Sequence, residues 1–95
     1  MKILDITIGN TTVKGYEIEL PNAILVLVAA PKGYVMCGYL NRQAAEKFGD
    51  AAAIVRGVKT VDGLLAATIA EATPAAEALG VKPGVTGREA LAIFA

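Results

Sequence analysis

The sequence predicts an α+β protein, a two-layer α/β sandwich in which N-terminal antiparallel strands form a mixed sheet of about five strands and the helices lie mainly in the C-terminal half. Over the first 40 residues, alternating or wholly apolar runs are separated by short turns, the pattern of strands joined as hairpins. From residue 41 onward, apolar residues recur at helical spacing between capping residues and glycines. One further strand is expected near 51–58. We expect one domain over 1–95, strand-rich in 1–40 and helix-rich in 41–95.

The first two predicted strands show alternating polarity. Residues 2–8 and 12–20 each alternate between apolar and polar side chains, which is typical of strands with one buried face. Gly9 and Asn10 lie in the turn between these runs, and Pro21 ends the second run. The two runs therefore predict an antiparallel pair with a short connection.

The two central strands are predicted at Ala23–Ala30 and Gly33–Leu40, and both runs are apolar on both faces. A few short, alanine-rich helices can cover only one face of such a sheet, so the other face needs a different cover. We therefore expect a homo-oligomer joined through strand-rich surface. The alternative is a monomer whose helices are divided between the two faces of the sheet.

The first helix and the fifth strand follow these central strands. Asn41 is a suitable N-cap for a helix over 42–48, which Gly49 ends in the left-handed conformation. The small apolar run within 50–58 is short and flanked by glycines, and this favours a strand over a second helix.

Three helices are predicted after Lys59, each beginning at an N-cap threonine: Thr60, Thr73 and Thr86. A proline at the first helical position supports the second helix, and a glutamate three residues after the third cap completes a capping box. The apolar residues of the first helix recur at helical spacing as far as Ala72: Val61, Leu65, Ile69 and Ala72.

The composition argues against several partners and compartments. Nine basic and nine acidic residues give a formal net charge of zero without a basic stripe, so nucleic acid is not expected as a partner. The apolar runs are far shorter than the ~20 residues of a membrane-spanning helix, so no membrane partner is expected. Because Cys37 is the one cysteine and the start of the chain lacks the features of a signal peptide, we expect a cytoplasmic protein.

The residue types that are absent exclude common active sites. The sequence contains no histidine and no serine. A Ser-His-Asp triad, a Cys-His dyad and an imidazole metal site therefore cannot be built from it. No segment has the glycine spacing of a phosphate-binding loop or a dinucleotide fingerprint. We expect no metal site and no cofactor.

Two segments bring cations to the start of a predicted helix, where free backbone N–H groups favour an anion. The first contains Arg56, Lys59 and Thr60, and the second contains Thr86 and Arg88. These five residues are the candidate ligand-binding contacts for a small anion. Ordinary capping with solvated basic side chains explains both segments without a ligand.

Cys37, Lys59 and Asp50 are the candidates for catalysis. The thiol or the amine would serve as nucleophile or base, and Asp50 or a carboxylate from another subunit would carry the proton. Cys37 lies within a predicted strand with no adjacent positive charge, so a buried, inert thiol is the alternative interpretation.

Five blocks of the sequence are distinctive: GYVMCGYLN (33–41), AEK (45–47), GDAA (49–52), GVKT (57–60) and GVTGREAL (84–91). With these blocks, nearly the whole chain is similar to the YunC-like family, also known as domain of unknown function 1805. The resemblance implies a small bacterial or archaeal protein with an α/β two-layer fold, whose N-terminal β region mediates tetramerisation. It implies no known activity. The recurring blocks of the family correspond here to Cys37, Gly38, Asn41, Asp50, Lys59, Thr60, Thr86 and Gly87.

Together these observations predict a non-catalytic, homo-oligomeric module that binds a small anionic ligand or a protein partner, and the family resemblance sets the number of copies at four. The alternative is an enzyme that uses Cys37 or Lys59 as nucleophile or base. The first prediction is favoured because the chain has few catalytic residue types.

Overall fold

A computed structural model describes residues 1–38 and 42–95, and within these ranges the chain forms six strands and four helices. The strands make one mixed sheet in the order β1-β2-β3-β4-β5-β6, antiparallel throughout except for the parallel pair β4 and β5. The predicted α+β class is confirmed, with six strands where about five were expected. The elements are β1 (Lys2–Ile8), β2 (Thr11–Leu20), β3 (Ala23–Ala30), β4 (Gly33–Cys37), α1 (Arg42–Lys47), β5 (Ala52–Val55), α2 (Val61–Ala66), β6 (Glu71–Ala72), α3 (Pro74–Ala78) and α4 (Gly87–Phe94).

The first three strands and the start of the fourth lie where the sequence patterns predict them. Gly9, at the tight turn between β1 and β2, has a φ of 61°, in the region that favours glycine. β4 ends at Cys37, whereas its apolar pattern predicted a strand as far as Leu40. Leu40 and the predicted N-cap Asn41 lie outside the described residues.

The parallel pair positions the candidate site. β4 and β5 are paired in a register that sets Tyr34 opposite Ala52 and Cys37 opposite Val55. The connection between them contains α1 and returns the chain to the other end of the sheet. The carboxyl ends of both strands, Cys37 and Val55, therefore lie side by side at one edge of the fold.

One face of the sheet is covered by α2, α3 and α4. Val26, Val28, Val35 and Val55 of the central strands are buried there against the C-terminal helices, with Phe94 among the largest buried side chains. The burial of such a contiguous apolar set is the main force that holds the two layers together.

α4 packs against α2 through a close backbone approach at Gly87. A Cβ at Gly87 would lie 2.1 Å from the carbonyl oxygen of Leu64, so a side chain at this position is sterically excluded. The first turn of α4 can therefore lie directly on the backbone of α2.

The second face of the sheet is covered by α1 where β4 and β5 lie. Ala45 of α1 packs there with Met36, Ala52 and Ile54. Over β1 to β3 this face carries four further apolar side chains: Ile3, Tyr16, Ile18 and Leu27. Leu27 packs against the edge of the cluster that contains Ala45, and no described helix covers the other three. Ile3 is 55% exposed, and the other three are half-buried. We call these four residues the open face.

α2 is shorter than the apolar spacing predicted. It ends at Ala66, because Ala67 has an extended conformation with a ψ of 153°. Ile69 is buried in the following segment, where its N–H donates to the carbonyl of Val85, and Ala72 belongs to β6. The helical spacing of these apolar residues is therefore a coincidence, and the segment after α2 supplies the sixth strand.

The four helices of the described residues have between five and eight residues each. None of them is long and apolar enough to cross a membrane.

Candidate functional site

A cavity of about 660 Å³ opens at the carboxyl ends of β4 and β5. Ligands of open α/β sheets commonly bind outside the carboxyl ends of parallel strands, and volumes of this size are usual for small-molecule sites. We call it the carboxyl-end cavity. Its lining comes from the β2–β3 hairpin end, the end of β4 and the loop after β5: Glu19, Leu20, Asn22, Ala23, Ile24, Cys37, Gly38, Arg56, Gly57, Val58 and Lys59.

Cys37 lies in the wall of this cavity and is 3% exposed. Its Sγ accepts a hydrogen bond from the backbone N–H of Val26 on the neighbouring strand, at 3.4 Å. A thiol held in this way packs as a small apolar side chain in the wall of the cavity.

Arg56 is brought to the same cavity by the register of the parallel pair. Since Cys37 lies opposite Val55, the residues that follow them, Gly38 after β4 and Arg56 after β5, are neighbours. A Cβ at Gly38 would lie 3.5 Å from Nη1 of Arg56, so the guanidinium lies directly over the glycine backbone. The structure thus places a positive charge near Cys37 although none is adjacent in sequence.

The charged side chains of the cavity differ in their partners. Nη2 of Arg56 forms an ion pair with Oε2 of Glu71 on β6. Lys59 is exposed and has no ion-pair partner within 4 Å among the described residues. The ammonium of Lys59 is therefore available to an incoming ligand.

Thr60 directly follows Lys59 but does not line the carboxyl-end cavity; it lies at the start of α2. Its Oγ1 accepts from the backbone N–H of Gly63 at 2.9 Å, as the sequence predicted for an N-cap. The backbone N–H of Val61 donates to Oε2 of Glu17, a residue of β2, at 2.7 Å. The chain's own carboxylate therefore occupies the position that an anion at this helix start would take.

A second cavity, of about 480 Å³, lies between β1 and the start of α2. Thr60 and Arg88 both line it, together with Lys2, Glu17 and Asp62. Two of the five residues predicted to contact an anion are thus found here, in a cavity whose lining also includes three carboxylates: Asp5, Glu17 and Asp62.

Thr86 is the N-cap of α4. Its Oγ1 accepts from the N–H of Glu89 at 3.2 Å, and Oε1 of Glu89 accepts from the N–H of Thr86 at 2.9 Å. This reciprocal capping box matches the sequence prediction. The hydrogen bond from the Thr86 backbone lowers the pKa of Glu89 below its ordinary value.

Asp50 is separated from Cys37 by the length of the parallel pair. It precedes β5, whereas Cys37 ends β4, so about 15 Å of strand lies between the two ends. Oδ2 of Asp50 accepts from the Tyr34 hydroxyl at 3.0 Å. Burial, together with this hydrogen bond, raises the pKa of Tyr34 to about 12. The three catalytic candidates are therefore not brought together, since only Cys37 and Lys59 share a cavity.

Several residues of the carboxyl-end cavity had no role in the sequence predictions. Glu19, Leu20 and Ile24 carry no motif, and only the register of the sheet brings them to Cys37. Within residues 1–38 and 42–95, no group of three or more Cys, Asp and Glu side chains could hold a metal ion.

Comparisons with known proteins connect this geometry to a family. The family described as "Domain of unknown function (DUF1805)" matches residues 36–93, a stretch that runs from the end of β4 through the loop after β5 and into α4. The curated relative "Uncharacterized protein YunC" of Bacillus subtilis (strain 168) is 43% identical over 79 residues, which cover 78% of this chain and 77% of the relative.

The fold is also similar to that of a solved structure. A crystal structure of a protein of unknown function, TA1206 from Thermoplasma acidophilum, superposes with a TM-score of 0.94 at 38% identity. The superposition covers 99% of this chain and 92% of the solved one. The whole sheet and its helices, including β1 to β3, are thus shared with an experimentally determined protein.

Proposed function

Since the chain belongs to the DUF1805 family, the YunC-like family that its sequence resembles, we propose that it is a non-catalytic, homo-oligomeric module that binds a small anionic ligand. A protein partner of the assembled surface is the second possibility within this proposal. We propose the cytoplasm as its compartment and four as its number of copies.

The carboxyl-end cavity is the observation that carries the binding part of the proposal. Its volume suits a small molecule, and two cationic side chains, Arg56 and Lys59, line it at the carboxyl ends of a parallel strand pair. An anion bound there would meet the free ammonium of Lys59 and the guanidinium over Gly38.

The open face supports the assembly part. Tyr16, Ile18 and Leu27 lie side by side on adjacent strands, and Ile3 extends the apolar strip to the edge of the sheet. An apolar strip on a sheet face is commonly covered by a partner, and a second copy of the same face is self-complementary about a twofold axis. The strip lies within 1–40, the region expected to hold the copies together.

The alternative, an enzyme that uses Cys37 or Lys59 as nucleophile or base, has less support. Asp50, the candidate proton carrier, lies at the opposite end of the parallel pair and is engaged by Tyr34. The Sγ of Cys37 is engaged by the Val26 N–H. A nucleophile needs a base or a proton carrier within hydrogen-bond reach, and Asp50 does not fill that role for Cys37 or Lys59, because it lies at the other end of the strand pair.

Native mass spectrometry of the protein purified from cells tests the proposal. We expect an assembly of four chains of 9.8 kDa each, with extra mass in a fixed ratio per chain. The Lys59→Gln variant should keep the assembly and lose the extra mass, while the Lys82→Gln variant, changed in a turn outside the cavity, should keep both. A single chain in dilute solution would contradict the assembly part, and a bare assembly would contradict the ligand part.

A further inference from the structure

The carboxyl-end cavity has an apolar body and a charged rim. Leu20, Ile24 and Val58 supply aliphatic walls, and Cys37 adds a sulfur that is almost fully buried. Arg56 and Lys59, by contrast, are exposed and border one side only. A ligand that fits both surfaces carries its charge at one end and an apolar part at the other.

The rim also limits how much charge the ligand carries. Part of the Arg56 guanidinium is already paired with Glu71, so its remaining N–H groups and the Lys59 ammonium are what the cavity offers. Glu19 lies on β2, three strands from β5, and thus about 14 Å across the sheet from the cationic side. Among the described lining residues the cations are Arg56 and Lys59, so a second negative charge at the far end of a ligand would have no cationic partner there.

From this distribution we propose that the cavity takes a small monocarboxylate with a short aliphatic body. The carboxylate lies over Gly38 between Arg56 and Lys59, and the aliphatic part lies against Ile24, Val58 and the sulfur of Cys37. This ligand class rests on the proposed function, because it specifies the anion that the same cavity binds. A phosphate monoester is disfavoured, because it carries nearly two negative charges at neutral pH.

Four small probes test separately the need for the carboxylate, for the aliphatic part and for a single negative charge. Butyrate has the proposed chemistry, butyramide has the same shape without the charge, acetate has the head without the body, and succinate has a second carboxylate at the far end. Each is titrated into the ¹⁵N-labelled, deuterated assembly, and the amide signals of Ile24, Gly38, Gly57 and Val58 are followed by TROSY spectra. Gly9 and Gly84, in turns that do not line the cavity, serve as reference signals.

We expect saturable shifts at the four cavity amides with butyrate. The affinity for each of the other three probes should be lower than that for butyrate by a factor of about five or more. Lys59→Gln should reduce the affinity for butyrate by a similar factor and leave that for butyramide unchanged. Lys82→Gln, the matched removal of an exposed lysine outside the cavity, should change neither.

The outcomes distinguish this inference from the proposed function. If acetate or succinate binds as tightly as butyrate and the binding depends on Lys59, the cavity is an anion site but the monocarboxylate class is wrong. If butyramide equals butyrate, the charge plays no part, and both the inference and the anion site are contradicted. Absence of saturable shifts at the cavity amides for all four probes contradicts the inference, and the anion site is contradicted as well if native mass spectrometry shows a bare assembly.

Discussion

The backbone N–H of Val61 donates a 2.7 Å hydrogen bond to the carboxylate of Glu17, so a strand residue caps a helix 44 residues further along the chain. The contact ties α2, and with it the loop that carries Arg56 and Lys59, to β2. The Glu17 side chain is only 14% exposed, and Lys2 lies 3.8 Å from its other oxygen. Its charge is therefore compensated both by the helix start and by a lysine.

Replacing Glu17 by alanine is expected to lower the free energy of unfolding by about 1–2 kcal/mol, because the Val61 N–H loses a charged acceptor at a helix start. Urea denaturation of the variant measures the change. Glu19→Ala is the matched control, since Glu19 is exposed and has no ion-pair partner among the described residues. Equal stability of the two variants would show that the contact contributes nothing.

The Thr86→Ala variant is expected to raise the pKa of Glu89 only part of the way to its ordinary value. It loses the Oγ1 that accepts from the Glu89 N–H and fixes the capping box, but it keeps the backbone N–H that donates to the carboxylate. Because the pKa of Glu89 is lower in the folded protein than in the unfolded one, its ionised carboxylate stabilises the fold at pH values above the unfolded-state pKa. This stabilisation is lost as the pH falls through the folded-state pKa. Carbon-detected NMR titration of the Glu89 carboxyl measures both proteins. An unchanged midpoint in the variant would show that Thr86 does not hold the carboxylate.

Most of the fold follows from local sequence signals. Alternation and β-branching define β1 to β3 within a residue or two, and the threonine caps at Thr60, Thr73 and Thr86 mark three helix starts. The extent of α2 does not follow, because apolar spacing persists to Ala72 although the chain leaves the helix at Ala67. A strand of two residues, β6, is too short to produce a periodic pattern.

The candidate site is less accessible to sequence reasoning than the fold. Arg56 borders Gly38 only because Cys37 pairs with Val55 in a parallel register, and no local pattern specifies that register. The role of Glu17 depends on a partner 44 residues away, and alternation alone places Glu17 on a strand face without saying what covers it. The sequence thus shows which residues are charged and which cap a helix, while the register of the sheet determines which of them are neighbours.

The stability of the wild type is expected to fall as the pH rises from about 10 to about 12, and the Tyr34→Phe variant is expected to lose much of this fall. Burial and the Asp50 hydrogen bond raise the pKa of Tyr34 to about 12, so the neutral phenol is favoured in the folded state. Because the pKa of Tyr34 is higher in the folded protein than in the unfolded one, the neutral phenol contributes its full stabilisation at pH values below the unfolded-state pKa. This stabilisation is lost as the pH rises through the folded-state pKa.

Thermal melts at pH 9 and pH 11 compare the wild type with Tyr34→Phe. The Tyr16→Phe variant is the control, because the Tyr16 hydroxyl forms no hydrogen bond to a carboxylate within the described residues. The role of the Tyr34–Asp50 contact would be contradicted if the melting temperature changed between pH 9 and pH 11 by the same amount in the wild type and in Tyr34→Phe.

Cys37 is expected to react with iodoacetamide more slowly in the native protein than in the unfolded protein, because its thiol is 3% exposed and its sulfur accepts the Val26 N–H. Labelling at neutral pH with and without urea, followed by intact-mass measurement, gives the ratio of the two rates. A native rate above the unfolded rate would indicate an activated thiolate and would favour the enzyme alternative over the binding module.

The Ile18→Glu variant is expected to dissociate the assembly into smaller species, because Ile18 lies within the open face beside Tyr16 and a buried, unpaired carboxylate in an interface is costly. Light scattering after size-exclusion chromatography measures the molar mass against the 9.8 kDa of one chain. Leu79→Glu is the matched control, since it places the same charge at an apolar residue that is 44% exposed and lies after α3, away from the open face. Both variants should keep the wild-type far-UV circular dichroism, because neither residue belongs to the buried core. If Ile18→Glu keeps the wild-type mass, the copies are joined through another surface, and the open face needs a different partner.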